Sequence, residues 1–511
     1  MVRGWGGKSK RLLVCVLLAA AVVRGGVACL GHGGLSGDPD AYAAIGDCLL
    51  RHGTFGLETA DGQSRATAFR PPLYPTTLAM AQRLVISLVP TAAERAIADH
   101  WASRLAIASL HWLLGMATVG LTYALARRLL AEPQPSLDQP QPSQQAPLRG
   151  STAVDMAAAV AALLVIVDPM LLRASTLVMT ETLAAALATL ALWGWAALLG
   201  DRWRRCWPAR ASLLGVVLAL AYLARPTFIV WTGLLCGLMF LWGAHRLVAG
   251  RRHGGAAGPL GTTRAVSAGQ WLLLSLLIAV PTGITVSIWS WRNHRQLGQP
   301  VWATTHGGYT LLLGNNPHIF DEVRHGAVGI AWDPEPFFQR WALRHQADPR
   351  SASFWDSRRL PRQDLDWVAQ RRITSDEIAA DRLAYETAIA AIGRDRSGFL
   401  LACLWRLSRL FGVMPQLQPL SPGEQRSWGS VAVTVLVTLF YSLVGLAVLL
   451  GLWRLGRRLA QPPWAAAVTL LLALAAVHCF YWTNMRMRAP ATAVLAVIAA
   501  APLVPSRQQT P

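Results

Sequence analysis

Residues 12–23 read LLVCVLLAAAVV and directly follow the basic residues Lys8, Lys10 and Arg11. Extended to residue 31, this apolar run is long enough to cross the roughly 30 Å hydrocarbon core of a membrane as a helix. The alternative is a secretory signal peptide, which has a similar basic start and apolar middle. No convincing small-x-small cleavage site follows the run, so we predict that it is retained as the first membrane span.

Similar apolar runs recur along the whole chain. Of the 511 residues, 53% are hydrophobic and only 14% are charged, and the mean hydropathy is +0.35. This composition is too apolar for an ordinary soluble protein. We predict an all-α polytopic membrane protein with about ten transmembrane helices, at 11–31, 103–126, 153–168, 176–199, 211–224, 227–243, 270–290, 428–453, 464–482 and 490–505.

The basic residues of the short connections predict the orientation. If the spans alternate, Lys and Arg cluster on one side, which the positive-inside tendency makes cytoplasmic. The formal net charge of +20 therefore indicates topology and contact with anionic membrane lipids, not nucleic-acid binding. We expect a multi-pass protein of the inner or plasma membrane, with the loops 32–100 and 291–427 on the extracytoplasmic side.

The pattern divides the chain into three parts: 1–290, with most of the spans; 291–427, an extracytoplasmic loop with a small α-containing subdomain; and 428–511, with the last spans. A Pro/Gln/Ser-rich stretch at 131–150 predicts a disordered cytoplasmic linker. Residues 72–90 predict a helix at the membrane interface. The pattern of residues 374–410 predicts helical structure, with Ser375 as a candidate cap.

The first long loop contains the stretch from Gly37 to Pro75, GDPDAYAAIGDCLLRHGTFGLETADGQSRATAFRPPLYP. It has two acids near one membrane face, Asp38 and Asp40, and it ends in a turn that begins at Arg70. An acid beside the hydrocarbon layer is costly unless it is solvated or paired, so such residues are functional candidates. A solvated Asp-Pro turn explains the same residues equally well.

Further charged residues stand where the topology does not favour them. Arg225, Arg486 and Arg488 lie at predicted extracytoplasmic ends of spans, against the positive-inside tendency. Arg binds phosphate through its planar fork of donors; the alternative is snorkelling to lipid headgroups. Glu181 begins a span, where the helix dipole and free N–H groups give it a structural explanation of equal weight.

In their order along the chain, these motifs resemble the GT-C superfamily of membrane glycosyltransferases. The similarity is to the branch of dolichyl-phosphate-mannose-protein mannosyltransferases and lipid A aminoarabinose transferases, glycosyltransferase family 39. It rests on Asp38 with Tyr42, on the Arg-Pro-Pro-Leu-Tyr-Pro turn at 70–75, on Thr180-Glu181, and on Arg486-x-Arg488-x-Pro490. The family often has a second acid directly after the first, and here Pro39 stands in that place.

The resemblance implies roles for these residues. Asp38 would be the catalytic carboxylate, with Asp40 as a substitute. The donor phosphate would be bound by Arg225, Arg486 and Arg488, and the substrate cavity would be lined by Arg70, Tyr74 and Glu181.

The implied activity is an inverting transfer of a sugar from a polyprenyl-phosphate-linked donor to an extracytoplasmic acceptor, which is a protein, a lipid or an envelope glycan. A transporter or flippase of lipid-linked glycans is the alternative, although we find neither an internal repeat nor mid-span acids. No cofactor is expected beyond the lipid-linked donor. The Cys and His residues lack metal-ligand spacing. Asp38-Pro39-Asp40 matches only the bare Asp-x-Asp pattern, so a divalent metal is a secondary expectation.

Overall fold

The computed structural model describes residues 6–88, 92–131, 146–200, 206–252, 267–356, 358, 363–364, 366, 376–412, 417 and 427–505. Within these residues the chain is an all-α polytopic membrane protein with one short hairpin. Nine helical segments are long and apolar enough to span a membrane: Gly7–Leu30, Ser103–Leu130, Glu181–Leu199, Trp207–Ala224, Thr227–Val248, Ala268–Leu297, Trp428–Ala460, Pro462–Phe480 and Met485–Leu503. A shorter apolar helix covers Thr152–Ile166.

These ten segments match the ten predicted spans one for one, so the predicted fold class is confirmed. In chain order the helices of the first half are α1 (Gly7–Leu30), α2 (Tyr42–His52), α3 (Leu73–Ser87), α4 (Ala92–Leu130), α5 (Ala146–Ile166), α6 (Pro169–Ala174), α7 (Glu181–Gly200), α8 (Trp207–Ala224), α9 (Thr227–Arg252) and α10 (Ala268–Leu297). The predicted linker at 131–150 lies mostly outside the described residues, and its last part is helical because α5 begins at Ala146.

The second half begins with a segment of short helices. These are α11 (Gly307–Gly314), α12 (Pro317–His325), α13 (Glu335–Ala342), α14 (Ala352–Trp355), α15 (Glu377–Arg394) and α16 (Arg396–Phe411). The last spans are α17 (Trp428–Leu455), α18 (Ala465–Phe480) and α19 (Thr492–Ala500), and a 3₁₀ turn at Met485–Ala491 leads into α19.

Alanine-rich helix faces form the centre of the bundle. Many of the fully buried positions of α5 and α7 are alanines, and they pack with large side chains such as Trp195 and Trp231. Small residues let membrane helices approach closely, which strengthens van der Waals packing where no hydrophobic effect drives association. α1 and α17 lie at the periphery and leave Val22, Leu436 and Leu443 exposed, as expected of surfaces that face lipid.

The two ends of the bundle differ in chemistry. At the basic end, Asp155 of α5 accepts a hydrogen bond from Ser9 of α1 at 2.5 Å and pairs with Arg127 of α4 at 2.6 Å. The opposite end, which we call the loop end, holds residues 31–72 and the described residues between 298 and 412. It is the predicted extracytoplasmic side.

The first loop folds against this end. α3 has 15 residues and is therefore about 22 Å long at 1.5 Å per residue, too short to cross the hydrocarbon core. It packs on α2 and α4. Between α2 and α3, β1 (Gly56–Glu58) and β2 (Ser64–Ala66) pair antiparallel, with Leu57 opposite Arg65. The hairpin was not predicted, although Asp61-Gly62, with Gly62 at φ 77°, is a typical hairpin turn sequence.

The stretch 374–410, predicted as helical, forms two helices within the described residues, α15 and α16. The chain breaks between α15 and α16 at Asp395, whose side chain accepts a hydrogen bond from the backbone N–H of Gly398 at 2.9 Å. Asp395 also pairs with Arg324 of α12 at 2.6 Å. Asp376 caps α15 by accepting from the Ile378 N–H at 2.9 Å, whereas the predicted cap, Ser375, lies outside the described residues.

Two sets of contacts hold the first loop to the later parts of the chain. Glu377 of α15 accepts from the Thr67 hydroxyl at 2.5 Å and from the Ala68 N–H at 2.8 Å. Arg292 of α10 donates to the carbonyl oxygens of Thr67 and Phe55 at 2.8 and 2.6 Å. The loop that contains Asp38 is therefore fixed from two directions, which positions the site described next.

Candidate active site

Four separate pieces of the chain meet at the loop end. They are the first loop, the residues just before and at the start of α7, the junction of α8 and α9 at Arg225, and the 3₁₀ turn before α19. The Tyr42 side chain lies within electrostatic reach of Asp40 and Arg70 on one side and of Glu181 and Arg225 on the other. Residues far apart in sequence are thus brought around one aromatic side chain.

Asp38 lies at the start of α2, where its two carboxylate oxygens accept hydrogen bonds from the backbone N–H groups of Tyr42 and Ala44 at 2.8 and 2.9 Å. This contact caps the helix and fixes the carboxylate. Ala41, which lies between Asp38 and Tyr42, adopts φ 59°, a left-handed conformation that is uncommon for residues other than glycine. Burial raises the pKa of Asp38, and the backbone N–H groups act in the opposite direction.

Asp40, in contrast, is held by an arginine. Arg70 donates to the Asp40 carboxylate at 2.5 Å and to its backbone carbonyl oxygen at 2.8 Å. The Arg70 guanidinium also lies over the rings of Phe69 and Tyr42, at 4.4 and 5.3 Å from their centroids. Of Asp38 and Asp40, Asp40 is thus the one with an ion-pair partner among the described residues.

Tyr74 packs against Tyr42 and helps to fix its position. It is fully buried, and its ring meets that of Tyr42 edge to face at 5.2 Å. Its hydroxyl lies 2.8 Å from Nε2 of His111, whose Nδ1 lies 3.0 Å from the Ser175 carbonyl oxygen. A carbonyl only accepts, so Nδ1 carries the proton and Nε2 accepts from Tyr74. His111 is thus a packed histidine with both ring nitrogens hydrogen-bonded.

Glu181 and Arg225 form a buried ion pair at 2.8 Å. Arg225 also donates from Nε to the Thr180 hydroxyl at 2.9 Å. Only 1% of Glu181 is exposed, and its second oxygen, Oε2, makes no hydrogen bond within the described part of the chain. A buried carboxylate oxygen without a donor is costly, so this atom marks a place where a ligand hydroxyl could bind.

The two arginines of the 3₁₀ turn differ sharply. The half-buried Arg486 side chain contacts the Met179 sulfur, at 2.6 Å from Nη1, and no described carboxylate is within ion-pair distance of it. The Met487 sulfur lies 3.7 Å from Nη1 of Arg225. Thioether sulfur is a weak acceptor. Arg225 faces Met487 and Arg486 faces Met179, so one guanidinium nitrogen of each arginine has only a weak acceptor.

Arg488 points elsewhere. It donates to the Phe411 carbonyl oxygen at 2.9 Å, lies 3.7 Å from the centroid of the Tyr441 ring and 3.9 Å from the Asp168 carboxylate. The Tyr441 hydroxyl donates to Asp168 at 3.0 Å. Arg24 of α1 is electrostatically attracted to the same carboxylate and donates to the Val165 carbonyl oxygen at 3.0 Å.

We call Arg24, Asp168, Tyr441 and Arg488 the Asp168 cluster. We call Asp38, Glu181, Arg225 and Arg486 the Asp38 cluster. The prediction that Arg488 binds the donor phosphate stays a prediction, but its contacts favour a structural role.

Two other candidate ligand sites are a metal site and an apolar cavity. Within the described ranges, no group of three or more His, Cys, Asp and Glu side chains could hold a metal ion, so the secondary expectation of a divalent metal gains no ligand set from them. An apolar cavity of about 710 Å³ lies between α1 and α4, lined among others by Cys29, Arg104 and Trp112. It includes no residue of the Asp38 cluster.

The fold and these polar groups define a multi-span all-α membrane protein with a candidate site at the loop end of its bundle. No family model matches the chain, and no curated protein matches it.

Solved structures of two proteins resemble the chain in fold at low identity. One is the oligosaccharyltransferase AglB from Archaeoglobus fulgidus in complex with an inhibitory peptide and a dolichol-phosphate: TM-score 0.48, 13% identity, covering 97% of this chain and 50% of AglB. This chain thus spans about half the length of AglB. The other is ArnT from Cupriavidus metallidurans bound to undecaprenyl phosphate: TM-score 0.37, 14% identity, covering 95% and 77%. At this level of similarity we draw no functional conclusion from either.

Proposed function

We propose that the chain is an inverting glycosyltransferase that takes a sugar from a polyprenyl-phosphate carrier and passes it to an acceptor hydroxyl on the extracytoplasmic face. The observation that supports this best is the composition of the Asp38 cluster. It combines Asp38, a fixed carboxylate with no cationic partner among the described residues, with the incompletely satisfied Arg486 and with Arg225. A proton acceptor and phosphate ligands are the two groups that such a transfer needs.

In the proposed reaction, the Asp38 carboxylate accepts the proton of the acceptor hydroxyl while the hydroxyl oxygen attacks the anomeric carbon. The bond from that carbon to the phosphate oxygen breaks, and the phosphate leaves with the electron pair. Arg486, together with Arg225, stabilises the negative charge that develops on the leaving phosphate. Attack from the side opposite the leaving group inverts the anomeric carbon.

Glu181 has two roles in this proposal. One oxygen holds Arg225 in place, and the buried Oε2 accepts a hydrogen bond from a hydroxyl of the donor sugar. Arg70 keeps Asp40 paired and Tyr74 supports Tyr42, so these two residues act by positioning the first loop. Asp40 is thereby a weaker candidate for the base than Asp38, because its carboxylate is already bound to a guanidinium.

The test is a transfer assay in membranes with a panel of undecaprenyl- and dolichyl-phosphate sugars, measuring labelled sugar lost from the lipid extract. Asp38→Asn should lower the rate by about 10²–10⁴-fold, the usual cost of losing a general base. Asn keeps one of the two acceptor oxygens and so retains one of the two backbone hydrogen bonds, which should be enough for α2 to persist. Asp40→Asn is the matched control and should retain most activity. Full activity of Asp38→Asn would refute the assignment, and loss in Asp40→Asn alone would move the base to Asp40.

The proposed orientation has its own test. Val328 at the loop end is 87% exposed, and Arg457 lies exposed at the basic end. In whole cells, an impermeant thiol reagent should label Val328→Cys and leave Arg457→Cys unlabelled until the cells are opened. The reverse pattern would place the Asp38 cluster on the cytoplasmic side and overturn the extracytoplasmic acceptor.

A further inference from the structure

Two of the seven cysteines lie against each other. Cys403 is on α16, in the predicted extracytoplasmic segment, and Cys479 is at the loop end of α18. Their side chains are close enough to interact electrostatically. α16 packs along α18, and Cys403 is buried while Cys479 is half-buried.

One arginine fixes both residues. Arg406 donates from Nε to the Cys479 carbonyl oxygen at 2.8 Å and from Nη2 to the Cys403 sulfur at 3.4 Å. These two nitrogens are on the same guanidinium, so the two acceptors are held side by side. Arg406 is fully buried and reaches Asn315 at 3.3 Å as well, so it has little freedom to move.

We infer that Cys403 and Cys479 form a disulfide in the mature protein, joining the extracytoplasmic segment to the membrane bundle. A disulfide needs two cysteines whose Cβ atoms can come within about 4.5 Å, and two neighbouring cysteines held by the same buried guanidinium are placed for that approach. It also needs an oxidising compartment. The inference rests on the proposed orientation, which places both residues on the extracytoplasmic side, but not on sugar transfer.

The chemistry is ordinary thiol–disulfide exchange with an oxidised dithiol–disulfide oxidoreductase of that compartment. The Cys403 thiolate attacks the disulfide of the oxidant and forms a mixed disulfide, releasing one thiolate of the oxidant. The Cys479 thiolate then attacks the Cys403 sulfur and releases the second. Two cysteine thiols lose two protons and two electrons, and the oxidant's disulfide is reduced to a dithiol.

Cys48 provides a matched comparison. It is also buried and belongs to the first loop at the same end of the bundle. Within the described residues, its electrostatic and hydrogen-bond neighbours are Glu58 and the Gly56 backbone, and no cysteine is among them. Cys48 should therefore remain a free thiol in the same compartment.

The experiment counts thiols in the full-length protein. Cells are quenched in acid, and the denatured protein is treated with a maleimide polymer before and after reduction. Two of the seven thiols should react only after reduction. In Cys403→Ser and in Cys479→Ser no thiol should need reduction, whereas Cys48→Ser should still show two. Digestion with trypsin without reduction should yield residues 397–406 linked to residues 459–486.

The wild-type digest makes the test independent of how well the variants fold. Seven thiols that all react without reduction, or a linked pair other than 403 with 479, would overturn the inference. So would a bond that appears only after a chemical oxidant is added to the purified protein. The labelling of Val328→Cys separates two causes of failure: free thiols with the loop end outside refute the disulfide itself, and free thiols with the loop end inside refute the orientation on which it rests.

Discussion

The Asp168 cluster and the Asp38 cluster lie at the same end of the same bundle, yet they differ in how fully their charges are satisfied. Asp168 accepts from the Leu171 N–H at 2.9 Å and from the Tyr441 hydroxyl at 3.0 Å, and two arginines face it. In the Asp38 cluster, within the part of the chain that the structure describes, Glu181 keeps an oxygen without a partner and the hydrogen bonds of Arg486 are to the Met179 sulfur and to its own turn. Satisfied groups stabilise a fold, and unsatisfied ones are what a ligand can bind.

Arg486 and Arg488 make this difference visible within one turn. They lie two residues apart in a 3₁₀ helix, Met485–Ala491, where each residue advances by about a third of a turn. Their side chains therefore leave the axis in different directions. Arg486 points to Met179 before α7, and Arg488 points to Tyr441 of α17.

The largest effect is expected from removing Asp168, which tests whether the Asp168 cluster stabilises the fold. Asp168→Ala leaves Arg24 and Arg488 buried without their acid, and breaking a buried charge pair costs about 3–5 kcal/mol. We expect a large loss of thermal stability in detergent, with donor affinity per folded molecule near that of the wild type. Asp168→Asn keeps an acceptor and should lose less. Wild-type stability of Asp168→Ala would show that the cluster is not structural.

The second test compares substitutions of Arg486 and Arg488 for their effects on donor affinity and stability. Arg486→Ala should weaken apparent donor affinity about ten- to a hundredfold, because a charge-assisted hydrogen bond contributes about 1.5–3 kcal/mol. Arg486→Lys keeps the charge without the fork and should be intermediate. Stability should hardly change in either variant.

Arg488→Ala is the matched control and should show the opposite, lower stability with nearly unchanged donor affinity. Titration of the donor against purified variants measures the first quantity and thermal unfolding the second. If Arg488→Ala weakened donor binding as much as Arg486→Ala without loss of stability, both arginines would belong to the donor site, as the sequence motif implied.

The difference between these arginines shows where sequence reasoning stops. The spans could be predicted because a hydrocarbon layer demands about twenty apolar residues in a row, a local property. The motif Arg486-x-Arg488 gives two identical side chains, and only the tertiary positions of Met179, Asp168 and Tyr441 separate their roles. Likewise, Asp38 and Asp40 differ because Arg70, thirty residues later in the chain, reaches one of them and not the other.

A third test is the pH dependence of transfer. Asp38 must be ionised to accept a proton, and burial raises its pKa, so the protonated, inactive form persists above the usual aspartate range near about 3.9. Activity should fall as pH falls through this raised pKa, by about tenfold per pH unit below it. The negative charge of Asp40 raises the pKa further.

Asp40→Asn should therefore move the acid limb of the rate profile to lower pH, because it removes a like charge and releases the Arg70 cation. Rates measured from about pH 4 to pH 8 in the wild type and in Asp40→Asn would show the shift. An acid limb at the same pH in both would mean that Asp38 is not the group that titrates.

The smallest expected effect is that of Tyr441→Phe, which removes one hydroxyl group from the Asp168 cluster and no charge. The lost hydroxyl donates to Asp168 at 3.0 Å and accepts from the Met170 N–H at 3.1 Å, while the ring under Arg488 remains. A hydrogen bond of this kind contributes about 1 kcal/mol net, so the unfolding equilibrium should shift by roughly fivefold. Donor affinity should be unchanged, because the Tyr441 hydroxyl contacts no residue of the Asp38 cluster. Thermal unfolding and donor titration of the same preparation measure both. A loss of donor affinity in Tyr441→Phe without loss of stability would mean that the two clusters are coupled, and the separation of structural from ligand-binding charges at this end of the bundle would fail.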